Sequence, residues 1–394
     1  MKLIKRLLLP LVLAVFAAGQ ALADGVICQV IDQNVISSIV TDYTAILGVD
    51  IAGQSPFVRF EVAPVDVELL EIALSTDPRI VWVEDEDSYD APENQSGHGS
   101  SVAAIYDRTA VFGENKNIWK QINFAQIGRQ FAPLRVGIVD TGVSRRQPSI
   151  TANIVAKESF VANSPTIDDQ PTLLDSNNNG ILDEGAGHGT MVAGIILQLS
   201  PNTPLVIAKS ADSDGMSSSW LVMKGVVFCM ENGSRVINIS LGSPNRLAGF
   251  SSFMDWVGKA NVTVVSPIGN NNLNMTLFPA GYSPVISVAG LLPDNTRAPF
   301  SNWDNTARVA APATGILSAW WDGGTAIWSG TSFSAPLTTG CLALALAVNP
   351  SKSPSAIRSA FTNSGKSIDN LNPNYRGRLG KLLDFIALVG ILKR

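Results

Sequence analysis

Arg135-Val136-Gly137-Ile138-Val139-Asp140-Thr141-Gly142 is the stretch that decides how the later part of this chain folds. Its apolar run is continuous rather than alternating, so the strand it predicts must be covered on both faces. Similar runs recur at 205–208, 236–239, 262–265 and 285–288, separated by helix-like stretches. Strands of this kind alternating with helices predict an α/β fold of three layers, a mostly parallel sheet with helices on both faces. In such sheets functional residues gather at the carboxyl ends of the strands. Asp140 closes the first run, Ser240-Leu241-Gly242 closes the third, and Asn270 lies just past the fourth. His188 and Ser332 each stand at the start of a helix-like segment, so all five positions can meet at one edge.

Two further strings give that edge a chemistry. Gly187-His188-Gly189-Thr190-Met191-Val192-Ala193-Gly194 offers a base, and Gly330-Thr331-Ser332-Phe333-Ser334-Ala335-Pro336 offers a nucleophile. An acid that orients an imidazole, which in turn deprotonates a hydroxyl, is the minimum machinery for serine-based acyl transfer. The chain has only 2 histidines, so the choice of base is almost forced. His98 sits in a near copy, Gly97-His98-Gly99-Ser100-Ser101-Val102-Ala103, but precedes Asp140 in a polar stretch and reads as a solvated coincidence.

With Val236 to Gly242, Phe278-Pro279-Ala280 and Ala310-Ala311-Pro312 added, the chain resembles the subtilisin-type serine proteases from about Trp119 to its C-terminal helix. The resemblance implies that Asp140 orients His188, that His188 acts as general base and then acid, and that Ser332 is the nucleophile. It also implies that Asn270 donates to the oxyanion and that Ser240, Leu241 and Gly242 pair with an extended substrate. The expected activity is that of a secreted serine endopeptidase, working through an acyl-enzyme and made as a zymogen. Met191 stands where the family commonly has a second histidine. Pro267 and Ile268 replace small residues before the Gly-Asn pair and are expected to narrow the primary specificity pocket.

Asp175-Ser176-Asn177-Asn178-Asn179-Gly180-Ile181-Leu182-Asp183, followed by Glu184, resembles the first nine positions of a calcium loop. Its ligands would be Asp175, Asn177, Asn179, Ile181 and Asp183, and an ion there would steady the nearby His188. The twelfth position is Ala186, so the bidentate carboxylate of such loops is missing.

Residues 1–23 read as an export signal, with Lys2, Lys5 and Arg6 before an apolar run and Ala21-Leu22-Ala23 before Asp24. A secreted or periplasmic location follows. Residues 24–88 predict a small α+β module, with strands at 57–62 and 80–83 and a helix from Asp66 to Leu74. It resembles the family's propeptide, which implies a folding chaperone and a tethered inhibitor whose tail lies in the cleft. Residues 89–116 read as an exposed linker carrying the processing site, and 117–394 as the peptidase domain. The net charge of −5 with 28 basic residues, and no dense basic stretch, points away from nucleic acid. The expected partners are protein or peptide substrates, met by a monomer without a membrane span. The three cysteines form no disulfide framework, and Cys229 and Cys341 fall in apolar, helix-like runs. An acid-stable family that shares the serine string uses Glu and Asp where His188 and Asn270 stand, so these two residues exclude it. The α/β-hydrolases need histidine last in the chain. A binding protein on a disabled protease scaffold conflicts with the intact set of residues.

Overall fold

A computed structural model describes residues 24–93, 101–105, 108–125, 134–162 and 164–394. The export signal and His98 lie outside the described residues. Two compact units emerge, one reaching to Asp87 and including Leu247–Gly249, the other formed by Ser88–Arg246 and Phe250–Arg394.

In the first unit, strands β1 (Asp24–Val30), β2 (Gly48–Ile51), β3 (Phe57–Val62) and β4 (Ile80–Asp85) form an antiparallel sheet in the order β2-β3-β1-β4. Helices α1 (Ile36–Asp42) and α2 (Val67–Ser75) share its core, where Ile39, Leu70 and Leu74 meet Val26, Cys28, Val58 and Phe60. The predicted α+β module has this form. Its central strand, β1, carries no clear alternation and was not among the expected elements.

The second unit begins with β5 (Ser88–Tyr89), β6 (Ser101–Ile105), α3 (Arg108–Glu114) and α4 (Lys116–Gln121). The stretch expected to be an exposed linker therefore carries regular structure: β5 pairs with a strand at 217–218, and β6 with one at 324–328. Buried Ala91 and Glu93 argue the same way, because a solvated linker would leave them in water.

Beyond it come β7 (Val136–Asp140), α5 (Pro148–Thr151), β8 (Ile154–Ser159), α6 (His188–Leu199), β9 (Leu205–Lys209), β10 (Ser217–Ser218), α7 (Ser219–Glu231) and β11 (Val236–Ile239). The chain continues through α8 (Ala248–Lys259), β12 (Thr263–Pro267), β13 (Ile286–Leu291), β14 (Val309–Pro312), β15 (Ile316–Ala319), β16 (Gly324–Trp328) and α9 (Thr331–Leu346). It closes with α10 (Pro354–Ser364), β17 (Lys366–Ser367), β18 (Lys381–Leu382) and α11 (Phe385–Leu392). Nine strands form the main sheet in the order β17-β18-β14-β13-β12-β11-β7-β9-β8, and all pairs are parallel except β17 with β18.

Alternation along β7 explains how two helical layers arise. Val136 and Ile138 join the core that holds α6 and α9, whereas a Cβ on Gly137 would meet Cys229 of α7 at 2.7 Å. Helices α6 and α9 are buried nearly all round, as helices enclosed by protein must be. They pack closely because Gly340 of α9 faces Leu199 and the Ile196 carbonyl of α6. Cys28, Cys229 and Cys341 are buried free thiols.

The close approach of α6 and α9 makes Gly340→Ala a direct test. The new methyl would lie 2.9 Å from Leu199 Cδ1 and 3.2 Å from the Ile196 carbonyl oxygen. Overpacking of this kind costs about 1–3 kcal/mol, to be read by calorimetry as a lowered Tm of the second unit. An unchanged Tm would contradict the packing.

Candidate active site

Asp140, the last residue of β7, and His188, the first of α6, meet at a carboxylate–imidazole hydrogen bond of 2.7 Å between Oδ1 and Nδ1. Two backbone features allow this. Gly187 adopts a left-handed conformation with φ +91°, which turns the chain into the helix. A Cβ on Gly189 would stand 2.3 Å from the Gly142 carbonyl oxygen and 3.1 Å from Asp140 Oδ1, so only glycine lets helix and strand end touch.

Asp169 holds the junction from below, and the sequence carried no signal for it. Its buried carboxylate accepts from Gly187 N (2.9 Å), Thr190 N (2.9 Å), Thr190 Oγ1 (2.6 Å) and Thr141 Oγ1 (3.1 Å). A carboxylate there satisfies orphan amides of the helix start and suits the positive end of its dipole. Lys209 donates its Nζ to the Thr141 carbonyl, bringing one positive charge beside Asp140 and Asp169.

Ser332 is the second residue of α9, and Pro336 lies four residues on. Proline has no N–H, so the Ser332 carbonyl lacks its normal helical donor. Ser240 Oγ supplies one at 2.9 Å, Asn238 Nδ2 donates to Ser240 Oγ at 2.8 Å, and Thr339 Oγ1 donates to Asn238 Oδ1 at 3.0 Å. This buried chain ties the start of α9 to the end of β11. The Ser332 hydroxyl donates to the Ser240 carbonyl at 3.5 Å.

Asn270 faces the same point from the end of β12. Its Oδ1 accepts from Thr331 N (2.9 Å) and Thr331 Oγ1 (2.8 Å), which fixes the amide with Nδ2 turned toward Ser332. Leu241 is buried, and Gly242 pairs in both directions with Asp90: Asp90 N donates to its carbonyl at 3.1 Å and Gly242 N to that of Asp90 at 2.8 Å. An extended segment of the chain thus lies along residues 240–242.

The same segment carries Glu93, the largest departure from expectation. Its Oε2 stands 3.1 Å from His188 Nε2, and its Oε1 accepts from Asn270 Nδ2 (2.8 Å) and Ser332 N (3.3 Å). Burial alone would raise the Glu93 carboxyl, but His188, Ser332 and Asn270 together hold it below the ordinary carboxylate range. Burial likewise disfavours the His188 cation, yet Asp140 and Glu93 outweigh it and raise the imidazole well above its usual value.

The expected metal ligands give a different picture. Asp175 accepts from Asn179 N and Gly180 N, Asn177 Oδ1 from Asn179 N, and Asn179 Oδ1 from Ile181 N. The Asp183 carboxylate is taken up by the backbone N–H groups of Thr172, Leu173 and Leu174. The side-chain oxygens of Asp175, Asn177, Asn179 and Asp183 all accept from backbone N–H groups, and no group of three or more His, Cys, Asp or Glu among the described residues is arranged to hold a metal ion. This set does not fit calcium as it stands.

Pro267 and Ile268, expected to narrow a specificity pocket, are both enclosed. Pro267 pairs with Val288 inside the sheet, and Ile268 packs in a cluster with Ala289, Leu291 and Ala310. Leu277 is the side chain near both pocket glycines: a Cβ on Gly242 would meet its Cβ at 3.1 Å, and one on Gly269 its Cγ at 2.8 Å.

Residues 133–380 match the sequence profile of the Subtilase family. Alkaline elastase YaB of Bacillus sp. (strain YaB) is 29% identical over 325 residues, covering 80% of this chain and 75% of that protein. Subtilisin BL of Lederbergia lenta is 29% identical over 248 residues, 61% of this chain and 86% of its own. A crystal structure of a cold adapted subtilisin-like serine proteinase superposes with a TM-score of 0.57 at 25% identity, covering 68% of this chain and 97% of that one.

Asp169 is the residue whose loss should loosen the junction most. Asp169→Asn keeps its shape but loses the charge and half the acceptors. Removing charge-assisted bonds at a buried carboxylate costs about 2–3 kcal/mol. Hydrogen exchange at the Gly187 and Thr190 amides should quicken, and unchanged protection would contradict the clamp.

Proposed function

The chain belongs to the subtilase family of serine endopeptidases, and from that premise we propose that Asp140, His188 and Ser332 form its catalytic triad, with Asn270 and the Ser332 amide as the oxyanion site. One observation carries this reading. Asn270 Nδ2 and Ser332 N converge on Glu93 Oε1, as they would on the oxyanion of a tetrahedral intermediate, while His188 Nε2 meets Oε2, on the side where it would serve nucleophile and leaving group.

With Glu93 withdrawn, His188 Nε2 is free to take the proton of Ser332 Oγ as the hydroxyl attacks a peptide carbonyl. The hydrogen bond to Asp140 keeps the proton on Nδ1 and favours the imidazolium that forms. His188 then protonates the leaving amine, and water releases the acyl group by the same steps reversed. The substrate runs antiparallel to Ser240–Gly242, as Asp90 does here. Met191 is buried in the core and takes no part in these steps.

In this proposal residues up to Glu93 make up a propeptide and intramolecular inhibitor, because the segment that follows the N-terminal module pairs Asp90 with Gly242, where a substrate would pair. The apolar run of residues 1–23 supports export to the periplasm or beyond. No helix among the described residues is long and apolar enough to cross a membrane. Activity is assigned to a single copy, since every group it uses lies in one chain. A structural calcium ion at 175–183 would require Asp183 to leave three backbone donors, so the hold on His188 is assigned to Asp169 instead.

Fluorophosphonate labelling of the processed protein should modify Ser332. Ser332→Ala should lower kcat by ~10⁶-fold, about 8 kcal/mol, the loss measured for this nucleophile in the family. A residual rate above about one hundredth of the unmodified enzyme would overturn the assignment.

Leu277 lies near the Cβ positions of both Gly242 and Gly269, and in this reading it narrows the primary pocket toward small side chains. Leu277→Ala should raise kcat/KM for phenylalanine relative to alanine before the scissile bond by roughly 10–200-fold, the range for such pocket volumes. Ratios equal in both proteins would place the determinant elsewhere.

A further inference from the structure

Both ring nitrogens of His188 face carboxylate oxygens, Asp140 Oδ1 at Nδ1 and Glu93 Oε2 at Nε2. An ionised carboxylate only accepts, and a neutral imidazole has one N–H to give. Two such contacts require the imidazolium. The Ser332 hydroxyl points instead to the Ser240 carbonyl, so the base is protonated and taken from its nucleophile.

The fit around Glu93 is built rather than incidental. Gly330 makes room, since a Cβ there would stand 1.9 Å from Glu93 Oε1. Tyr89 anchors the segment, 1% exposed and stacked on Phe250 with ring centroids 5.6 Å apart, and Ser88–Tyr89 pairs with Ser217–Ser218. The charged groups near the ring are Asp140 from β7, Asp169 beneath the helix start, Lys209 from β9 and Glu93 itself. From α9 and β16 only Phe333 and Trp328 face it.

We propose that the cleft is also a binding site for an acidic peptide, in which the oxyanion donors and a protonated His188 hold a glutamate side chain, and that residues 88–93 are its resident ligand. This rests on the triad reading above and deepens it: inhibition comes from a side-chain carboxylate rather than from a scissile carbonyl. The pH dependence follows from proton linkage. Asp140 first and Glu93 in addition raise His188, so the contact is at full strength below the imidazole's value with Glu93 withdrawn and weakens as pH rises toward the bound value. Glu93 has a lowered pKa, so its share is present above the ordinary carboxyl value of 4.5 and is lost as pH falls. Inhibition is therefore tightest between those limits and is relieved by alkali.

The test uses the processed enzyme and two blocked peptides, acetylated and amidated, one with the sequence of residues 88–93 and one with Glu93→Gln. The glutamate peptide should inhibit competitively, with Ki rising about tenfold per pH unit above the His188 value read from the free enzyme's own pH–rate profile, while the glutamine peptide binds weakly with a flat profile. In the full chain, Glu93→Gln should shift the rise of fluorophosphonate labelling with pH downward, to the profile of the processed enzyme. Equal inhibition by both peptides at pH 6, inhibition by neither, cleavage of the glutamate peptide, or a flat Ki would each overturn the proposal. An enzyme that hydrolyses no peptide at any pH would instead sink the triad reading.

Discussion

The bond between Asp140 and His188 is the constraint on which the rest of the second unit turns. It joins the carboxyl end of a central strand to the amino end of an enclosed helix, and only at about 2.7 Å can one carboxylate fix the imidazole's tautomer. Everything nearby serves that distance. Gly189 removes the side chain that would separate strand from helix, and Asp169 gathers the amides left over at the helix start. The cost is a concentration of buried charge, with three carboxylates around one imidazole and one ammonium. Buried ions persist only when paired and hydrogen-bonded, and nearly every oxygen here has its donor; Asp140 Oδ2 is left without one.

A second device sets the nucleophile. Pro336 deletes one hydrogen bond from α9, and the vacancy is filled from the sheet by Ser240, with Asn238 and Thr339 behind it. The helix is thereby keyed to β11 at the turn that carries Ser332. Thr331, one residue earlier, keys the same turn to Asn270 of the neighbouring strand end. Nucleophile and oxyanion donor are held to adjacent parallel strands, which accounts for their common aim.

Much of this could be read from residues alone, for a physical reason. Val136–Asp140, Leu205–Lys209 and Val236–Ile239 are covered on both faces, and continuous apolar composition reports that directly. Asp140, His188, Ser332 and Asn270 stand at element ends, where glycines and helix starts leave a local trace. Strand β8 escaped because its Ile-Val-Ala-Lys-Glu-Ser mixes apolar and charged residues at the sheet's edge. Asp169, Leu277 and Glu93 escaped because their importance lies in partners distant along the chain. The Asp175–Asp183 loop shows the converse: its spacing suits a cation, yet its oxygens serve the backbone, and spacing cannot reveal which use prevails.

The thiols have a consequence for where this molecule can be made. Cys28, Cys229 and Cys341 are all buried and uncoupled, and burial pushes each thiol's ionisation upward, away from reactivity. No cross-link has to be laid down for either unit to fold. The polypeptide can reach its final form under glutathione-rich or oxidising conditions alike, and oxidoreductase helpers have nothing to rearrange.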